Sequence, residues 1–352
     1  MKKSGPTSDS SKTMTISDIA REAGVSIATV SRMLSGKGPV RDSTRQKIEY
    51  LIRQYSYDSR LLSRGFKRER TRIIGCIVQQ LGHPYFVQTC AALETTCRDN
   101  DMAMLLGVAT DKPEIEENII HLFLEKKVDG LVIMGGSANF PEPSDRFKAL
   151  LAGAADQCPV IFINGYYYAE GIGQVQTDEK AGMLELLNRI YAQGHRKTAF
   201  IGGEYGSGAA RNRLETYLNW ARNQNLELQN DWILESGFSA ESGMKAMAEL
   251  LSWKQPPTAV VCANDLVAAG ALKTTYQRGY KVPEEISIVG FDGSELTDLS
   301  FPKISTVGHD YYGLARAAVA SLDAALSQEM PPGRIMLPAI QIEGETLGPV
   351  PV

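Results

Sequence analysis

From residue 73 onward, short apolar runs alternate with helical stretches of 10–18 residues, and this alternation limits the fold more than any other feature. The runs are 73–78 (IIGCIV), 102–108 (MAMLLGV), 129–134 (DGLVIM), 159–164 (PVIFIN), 198–202 (TAFIG), 258–263 (TAVVCA) and 286–291 (ISIVGF). Continuous apolar runs of this length read as strands buried on both faces, and helices between them make βαβ units with parallel sheets. The units are too many for one small open sheet. Turn composition at 166–176 (YYYAEGIGQVQ) and again at 300–306 marks breaks. The expectation is two similar α/β lobes, with the chain crossing back to the first before a last helix at 311–328. The boundaries follow as 73–174 with 307–333 for lobe 1, and 175–306 with 334–346 for lobe 2.

Ahead of this body the texture differs. Residues 1–72 hold 16 Lys+Arg against 7 Asp+Glu, a net of +9, whereas the remainder holds 21 against 34, a net of −13. A basic head on an acidic body suits a phosphate-binding module joined to a domain of another kind. Within the head, TISDIAREAGVSIATVSRML (15–34) reads as two short helices around a glycine turn. Thr15 and Asp18 make a capping-box-like start, Ile19, Ala20 and Ala23 share a face, and Gly24 permits the corner. Ser26 is placed to cap the second helix, in which Val30 and Leu34 point inward. Ile27, Ala28, Ser31 and Arg32 are left on other faces, the arrangement by which a helix-turn-helix offers a recognition helix to the major groove. Ile48, Leu51, Ile52 and Tyr55 repeat at i, i+3, i+4, i+7 and predict a third helix closing a small core. The start, residues 1–14, has no apolar h-region after its lysines and reads as a disordered tail.

No apolar run reaches the ~18 residues of a membrane span. The five cysteines lack metal or CxxC spacing, and Cys90 and Cys97 stand roughly 10 Å apart along a helix, too far for a disulfide. Reduced thiols, a cytoplasmic location beside the nucleoid and no cofactor are expected. An enzyme fares poorly: GGEYGSGAAR (202–211) puts Arg211 where a dinucleotide fingerprint needs a small residue, and GxSxG, HExxH and the Walker lysine motif are missing.

Read together, five segments resemble the lactose-repressor (LacI/GalR) family of bacterial transcription regulators. They are 15–34, the basic linker before IIG, GHRKTAFIGG (194–203), TAVVCANDLVAAGAL (258–272) and PEEISIVGFDG (283–293). The resemblance implies an α/β fold class with a three-helix helix-turn-helix head (15–58), a hinge helix (59–72) and a two-lobed core like that of periplasmic sugar-binding proteins (73–346). It implies a repressor that binds a palindromic double-stranded DNA operator as a homodimer under a small effector, a carbohydrate or a derivative of one. The alternative is a solute-binding protein of a sugar transporter, which needs a secretion signal and no basic head.

Arg32 has a fork matching guanine O6 and N7 and is expected to contact a base, with a phosphate clamp as the alternative. Ile27 and Ala28 offer only apolar contact to a thymine methyl. Thr15, Ser26, Thr29 and Ser31 suit phosphate oxygens. The resemblance makes Phe66 the minor-groove wedge, where the family commonly has leucine. Phe66 packed on the core within a flexible linker is the other reading. Gly65 and the run Arg60, Arg64, Lys67, Arg68, Arg70 and Arg72 predict a hinge that orders only on DNA. Arg41 stands where the family has a serine cap, so Asp42 or Ser43 is expected to cap the third helix instead, with a shifted start.

Ligands of open α/β sheets bind beyond the carboxyl ends of the strands. Asn164, Asn264, Asp265 and Asp292 end apolar runs and are candidates on that ground. The resemblance assigns effector positions to Arg213, Asn264 and Asp292, with Phe238 as an aromatic lid, and points to Tyr85, Phe86 and Asn164. Against it stand Asp292 as a turn residue before Gly293 and Arg213 paired with a neighbouring acid. The amide at Asn164, where sugar binders often have aspartate, weakens a detailed sugar assignment. His309 is expected to be structural.

Overall fold

The computed structural model describes residues 16–35, 40–54, 70–110, 112–226, 232–327 and 330–351. The chain divides into two compact units, Met1–Arg70 and Thr71–Val352.

In the first unit, α1 (Ile16–Ala23), α2 (Ile27–Ser35) and α3 (Asp42–Gln54) enclose a core of Ile19, Ala20, Ala23, Val30, Ile48 and Leu51. Gly24, at φ +70°, makes the corner that an L side chain would strain. Ser26 Oγ accepts the Thr29 N–H at 3.2 Å, so it is the cap its position implies. Asp18 pairs with Arg21 at 2.6 Å. The shifted start of α3 is corrected: the Arg41 carbonyl accepts from the Thr44 and Arg45 N–H groups at 2.9 and 3.0 Å, and the helix begins at Asp42. Thr15, Tyr55, the tail 1–14 and linker residues 59–69 lie outside the described residues, as do the side chains of Leu34 and Ile52.

The second unit runs β1 (Ile73–Val78), α4 (Pro84–Asp99), β2 (Ala103–Val108), α5 (Pro113–Glu125), β3 (Gly130–Met134), α6 (Asp145–Ala155), β4 (Val160–Ile163) and β5 (Ile172–Thr177). It continues α7 (Glu179–Ala192), β6 (Thr198–Ile201), α8 (Gly208–Asn223), β7 (Ile233–Leu234), α9 (Ala240–Leu250), β8 (Ala259–Cys262), α10 (Asp265–Gln277) and β9 (Ser287–Val289). The last elements are α11 (Leu296–Leu299), β10 (Thr306–Gly308), α12 (Tyr311–Leu326), β11 (Arg334–Leu337) and β12 (Ile340–Ile342). A parallel six-stranded sheet has the order β11-β5-β4-β3-β1-β2, a parallel four-stranded sheet the order β7-β6-β8-β9, and β10 pairs antiparallel with β12.

Each of the seven expected strands is present, and the central strands of both parallel sheets are buried on both faces. Ile74, Val132 and Ile161 pack against α4 and α12 on one side of the first sheet; Leu131, Ile133 and Val160 meet Phe123 and Phe147 on the other. In the second sheet, Val260 and Ile288 face Leu250 and Leu272, while Phe200 and Val261 face Leu187, Ile190 and Tyr217. Each such aliphatic side chain contributes ~1.5–3 kcal/mol by leaving water, so the covered faces dictate the layers.

Two expectations fail at the crossings. Residues 166–176, read as a break, contain most of β5, whose six residues are all buried. Its Gln174 and Gln176 disguise a central strand, but their Nε2 groups are satisfied internally, donating to the Tyr167 and Gly165 carbonyls at 2.7 and 2.6 Å. Residues 334–337, assigned to lobe 2, form β11 and pair with β5 at the edge of the first sheet. A partly exposed edge strand such as β11 lacks the apolar continuity that flags central strands. The chain leaves the first sheet after Thr177, where Asp178 caps α7 by accepting the Ala181 N–H at 3.0 Å. It returns after β10, where Asp310 caps α12 through the Gly313 N–H at 2.8 Å.

The five cysteines are free and buried. Among the described residues, no helix is long and apolar enough to cross a membrane, and no cluster of His, Cys, Asp or Glu has the arrangement to hold a metal ion.

Candidate functional site

Parallel strands deliver their carboxyl ends to one edge of each sheet, and here the ends of β1, β3, β4, β8 and β9 meet around a cavity of about 610 Å³ including its mouth. The turn after β1 contributes Gln79, Gln80 and His83; that after β4 contributes Ile163 and Asn164. Glu179 enters from the first turn of α7, Arg213 from α8, Phe238 from the loop before α9, Asn264 from the cap of α10 and Asp292 from beyond β9. Tyr85, Phe86, Asn164, Arg213, Phe238, Asn264 and Asp292, the seven expected effector residues, all line this cavity.

Arg213 is the electrostatic centre. Its Nε and Nη2 donate to Glu179 Oε2 and Oε1 at 3.2 and 2.9 Å, Nη2 also meets Asp292 Oδ1 at 3.1 Å, and Nη1 donates to the Ala263 carbonyl at 2.6 Å. The guanidinium stacks 3.9 Å above the centroid of Phe291. The pairing with a neighbouring acid weighed against an effector role is therefore real, and it involves two acids. Burial works against both charges. The Arg213 guanidinium nonetheless holds the Asp292 carboxyl below its usual value, helped by His309 and His83. Asp292 is not simply a turn residue, although its φ of +105° does mark a strained corner before Gly293.

Asn164, at φ +51°, uses both ends of its amide: Oδ1 accepts the Thr177 N–H at 2.7 Å, and Nδ2 donates to the Tyr85 hydroxyl at 3.0 Å. Tyr85 packs edge-on against Phe86 and His309, each with centroids 5.1 Å apart, and burial pushes its phenol pKa up. Asn264 accepts the Val267 N–H at 2.8 Å through Oδ1, while Nδ2 donates to the Phe238 carbonyl at 3.0 Å. Asp265 turns away from the cavity and holds the Ser294 N–H and hydroxyl and the Thr306 hydroxyl. Burial pushes its carboxyl up to about 7, the Asp292 charge adding to the shift and those hydrogen bonds opposing it.

His309 is fully buried and does not line the cavity. Its Nδ1 lies 2.8 Å from Thr177 Oγ1 and its Nε2 3.6 Å from Asp292 Oδ1, joining the two crossings of the chain. Three residues escaped sequence reasoning. His83 caps α4, Glu179 clamps Arg213, and Tyr166 donates to Glu179 Oε2 at 2.9 Å. Had 172–177 been recognised as a strand, the strand-end rule would have flagged the Asp178-Glu179 pair that follows it.

In the first unit, Ser26, Ile27, Ala28 and Arg32 are exposed on α2 and Thr29 is half-buried, while Val30 faces the core. Arg32 Nε lies 3.3 Å from the Ala28 carbonyl. Ser31 belongs to α2, but its side chain, together with Thr15, Arg64 and Phe66, lies outside the described parts.

Compared with known proteins, residues 15–59 match the bacterial regulatory proteins, lacI family, and residues 187–347 match a periplasmic binding protein-like domain. The chain is 30% identical to the HTH-type transcriptional repressor CytR of Escherichia coli (strain K12) over 334 residues, 94% of this chain and 96% of CytR. It is 29% identical to the ribose operon repressor of Haemophilus influenzae (strain ATCC 51907 / DSM 11121 / KW20 / Rd), over 88% of this chain and 90% of that one. Among solved structures, the lac repressor dimer bound to operator and the anti-inducer ONPF is similar at a TM-score of 0.71 and 24% identity, covering 96% and 100% of the two chains. The transcriptional regulator CelR in complex with cellobiose gives 0.70 at 22%, covering 95% and 99%. At those identities the likeness is one of fold.

Proposed function

Because this chain belongs to the lacI family of bacterial regulatory proteins, we propose that it is a transcriptional repressor that binds a palindromic operator as a dimer and answers to a small effector held in its cavity. It is a DNA-binding regulator and not an enzyme, as its family is. The observation that carries the effector half of this reading is one cavity lined at once by Tyr85, Phe86 and Asn164 from the first sheet and by Arg213, Phe238, Asn264 and Asp292 from the second. A molecule that touches both walls binds the two relative lobe arrangements unequally, and a difference in affinity is what shifts a two-state equilibrium.

Carboxamides, carboxylates and aromatic faces together suit a ligand with several hydroxyls, which supports a sugar or a sugar derivative. The ribose operon repressor and the CelR–cellobiose complex among its relatives and structural neighbours agree with that class.

For the DNA half, the outward set on α2 supports Arg32 as a base or phosphate contact, Ile27 and Ala28 as apolar contacts, and Ser26, Thr29 and Ser31 as phosphate partners. Thr15 and Arg64 would join the phosphate contacts and Phe66 the central wedge. The lobe division at Thr177 and Gly308, with β11 returned to the first sheet, replaces the boundaries expected from sequence. Dimerisation has a physical motive besides the operator's symmetry. Leu299 and Phe301 stand 83% and 91% exposed, an apolar surface that a second copy would cover. A nuclease footprint of the chain's own control region tests the proposal. Two symmetric protected half-sites about one helical turn apart are expected. Protection without symmetry, or none at any salt concentration, would contradict it.

A further inference from the structure

Among the described residues lining the cavity, Arg213 is the single guanidinium or ammonium, and its charge is already matched by two carboxylates. A guanidinium has five N–H groups. One goes to Glu179 Oε2, one to Glu179 Oε1 and one to the Ala263 carbonyl, while Asp292 Oδ1 stands 3.1 Å from Nη2 as a second ion-pair partner. One N–H on Nη1 and one on Nη2 make no hydrogen bond, Nη2 lies against the Asp292 carboxylate, and the Phe291 ring covers a face of the plane. Recognition of a phosphate or carboxylate calls for two parallel N–H donors. An anionic ligand reaching for them would lie against the carboxylates of Glu179 and Asp292, both about 95% buried. That would crowd three negative groups into a water-poor site around one cation.

The remaining polar walls are amides and aromatic rings, and Asp292 Oδ2 stands 4.0 Å from His83 Nε2. Such a surface accepts hydrogen bonds from hydroxyl or amino groups and stacks on an apolar face. We propose that Glu179 sets the charge class of the effector: the cavity takes a neutral or amine-bearing polyhydroxyl molecule and rejects phosphorylated and acidic ones. This rests on the reading of the cavity as the effector site, and it makes Glu179 a specificity-determining residue that acts by occupying Arg213.

Inorganic phosphate is the probe, titrated calorimetrically and by thermal midpoint against sodium chloride of equal ionic strength, so that general salt effects cancel. The wild-type chain shows no saturable phosphate binding. Glu179→Gln, which removes a negative charge and replaces one of the two accepting oxygens by an NH2 group, gains saturable binding at least tenfold tighter than the limit the wild-type titration sets. Glu179→Asp keeps the charge and stays indifferent to phosphate. Asp292→Asn removes one negative charge but no hydrogen bond from Arg213, gains less than Glu179→Gln, and serves as the second test should Glu179→Gln fold poorly. Saturable phosphate binding by the wild type overturns the proposal with no variant needed. Variants lacking either acid that gain no phosphate affinity overturn it too. DNA takes no part in this titration, so failure here is distinct from failure of the repressor reading, which operator binding by the wild-type chain decides.

Discussion

His83 Nε2 and Asn264 Nδ2 meet 2.7 Å apart where the first and second sheets face each other across the cavity. Asn264 has its orientation fixed, because Oδ1 caps α10 and Nδ2 donates to the Phe238 carbonyl. Its amide therefore presents a donor to Nε2, while the Tyr85 N–H approaches His83 Nδ1 at 3.3 Å. A neutral imidazole accepts at one nitrogen only, so one of the two donors is poorly met. The contact that ties the walls together is a compromise, which a ligand with its own hydroxyls can replace.

The same histidine makes the fold acid-sensitive. Burial lowers the His83 pKa from its ordinary value by more than the Asp292 charge restores. As pH falls below about 6.5 the unfolded chain binds this proton first, so the contribution is complete above that pH and lost on acidification. His195 has a lowered pKa for the same reason. Urea unfolding of wild type and His83→Gln between about pH 7 and pH 5 isolates one histidine, since shared groups cancel in the difference. The wild type's advantage should shrink toward pH 5, and a difference that does not change with pH contradicts the account.

Arg213→Met leaves Glu179 and Asp292 facing each other in a dry site without their cation. Breaking a buried pair in this way costs about 3–5 kcal/mol. The triple variant with Glu179→Gln and Asp292→Asn should recover a large part of that loss in denaturant unfolding. Equal stability of the single and triple variants would show that the ion pairs are not what Arg213 supplies.

Helices α9 and α10 pack backbone to backbone. A Cβ on Gly270 would collide with the Ala240 carbonyl oxygen, and one on Gly243 with that of Val267. Overpacking between two helix backbones typically costs 1–3 kcal/mol or more, so Gly270→Ala should lower the thermal midpoint by several degrees while Gly279→Ala, at an open turn, strains only its own φ of +83°. An unchanged midpoint for Gly270→Ala would mean the helices separate freely.

Much of this site was legible because strands ending in Asn164, Asn264 and Asp292 announce where a parallel sheet opens, and all three line the cavity. On α2, residue spacing alone separated buried Val30 from exposed Ile27, Ala28 and Arg32. Glu179 was hidden because the strand before it carries Gln174 and Gln176, whose burial depends on partners at Tyr167 and Gly165 that no periodicity reveals. His83 was hidden for a related reason. Its role comes from Asn264, 181 residues away, and such a contact has no local signature.

Arg32→Ala separates the two readings of that side chain. As a base contact it should cost about 1–3 kcal/mol on the preferred site, relax the choice at one base pair and leave the salt slope nearly unchanged. As a phosphate contact it should weaken all sequences alike and lower the slope of log affinity against log salt by about one. Binding to an operator library at two or more salt concentrations reads both quantities. An affinity equal to wild type on every sequence would remove Arg32 from the interface.

Sequence-specific binding of DNA by the intact chain is the claim on which the rest stands. Fluorescence anisotropy with a footprinted palindrome and its scrambled counterpart, in the same buffer, measures it directly. The account predicts a preference for the palindrome of about 10³-fold or more at physiological salt, as specific regulators show. Equal affinity for the two duplexes, governed by salt alone, would contradict it.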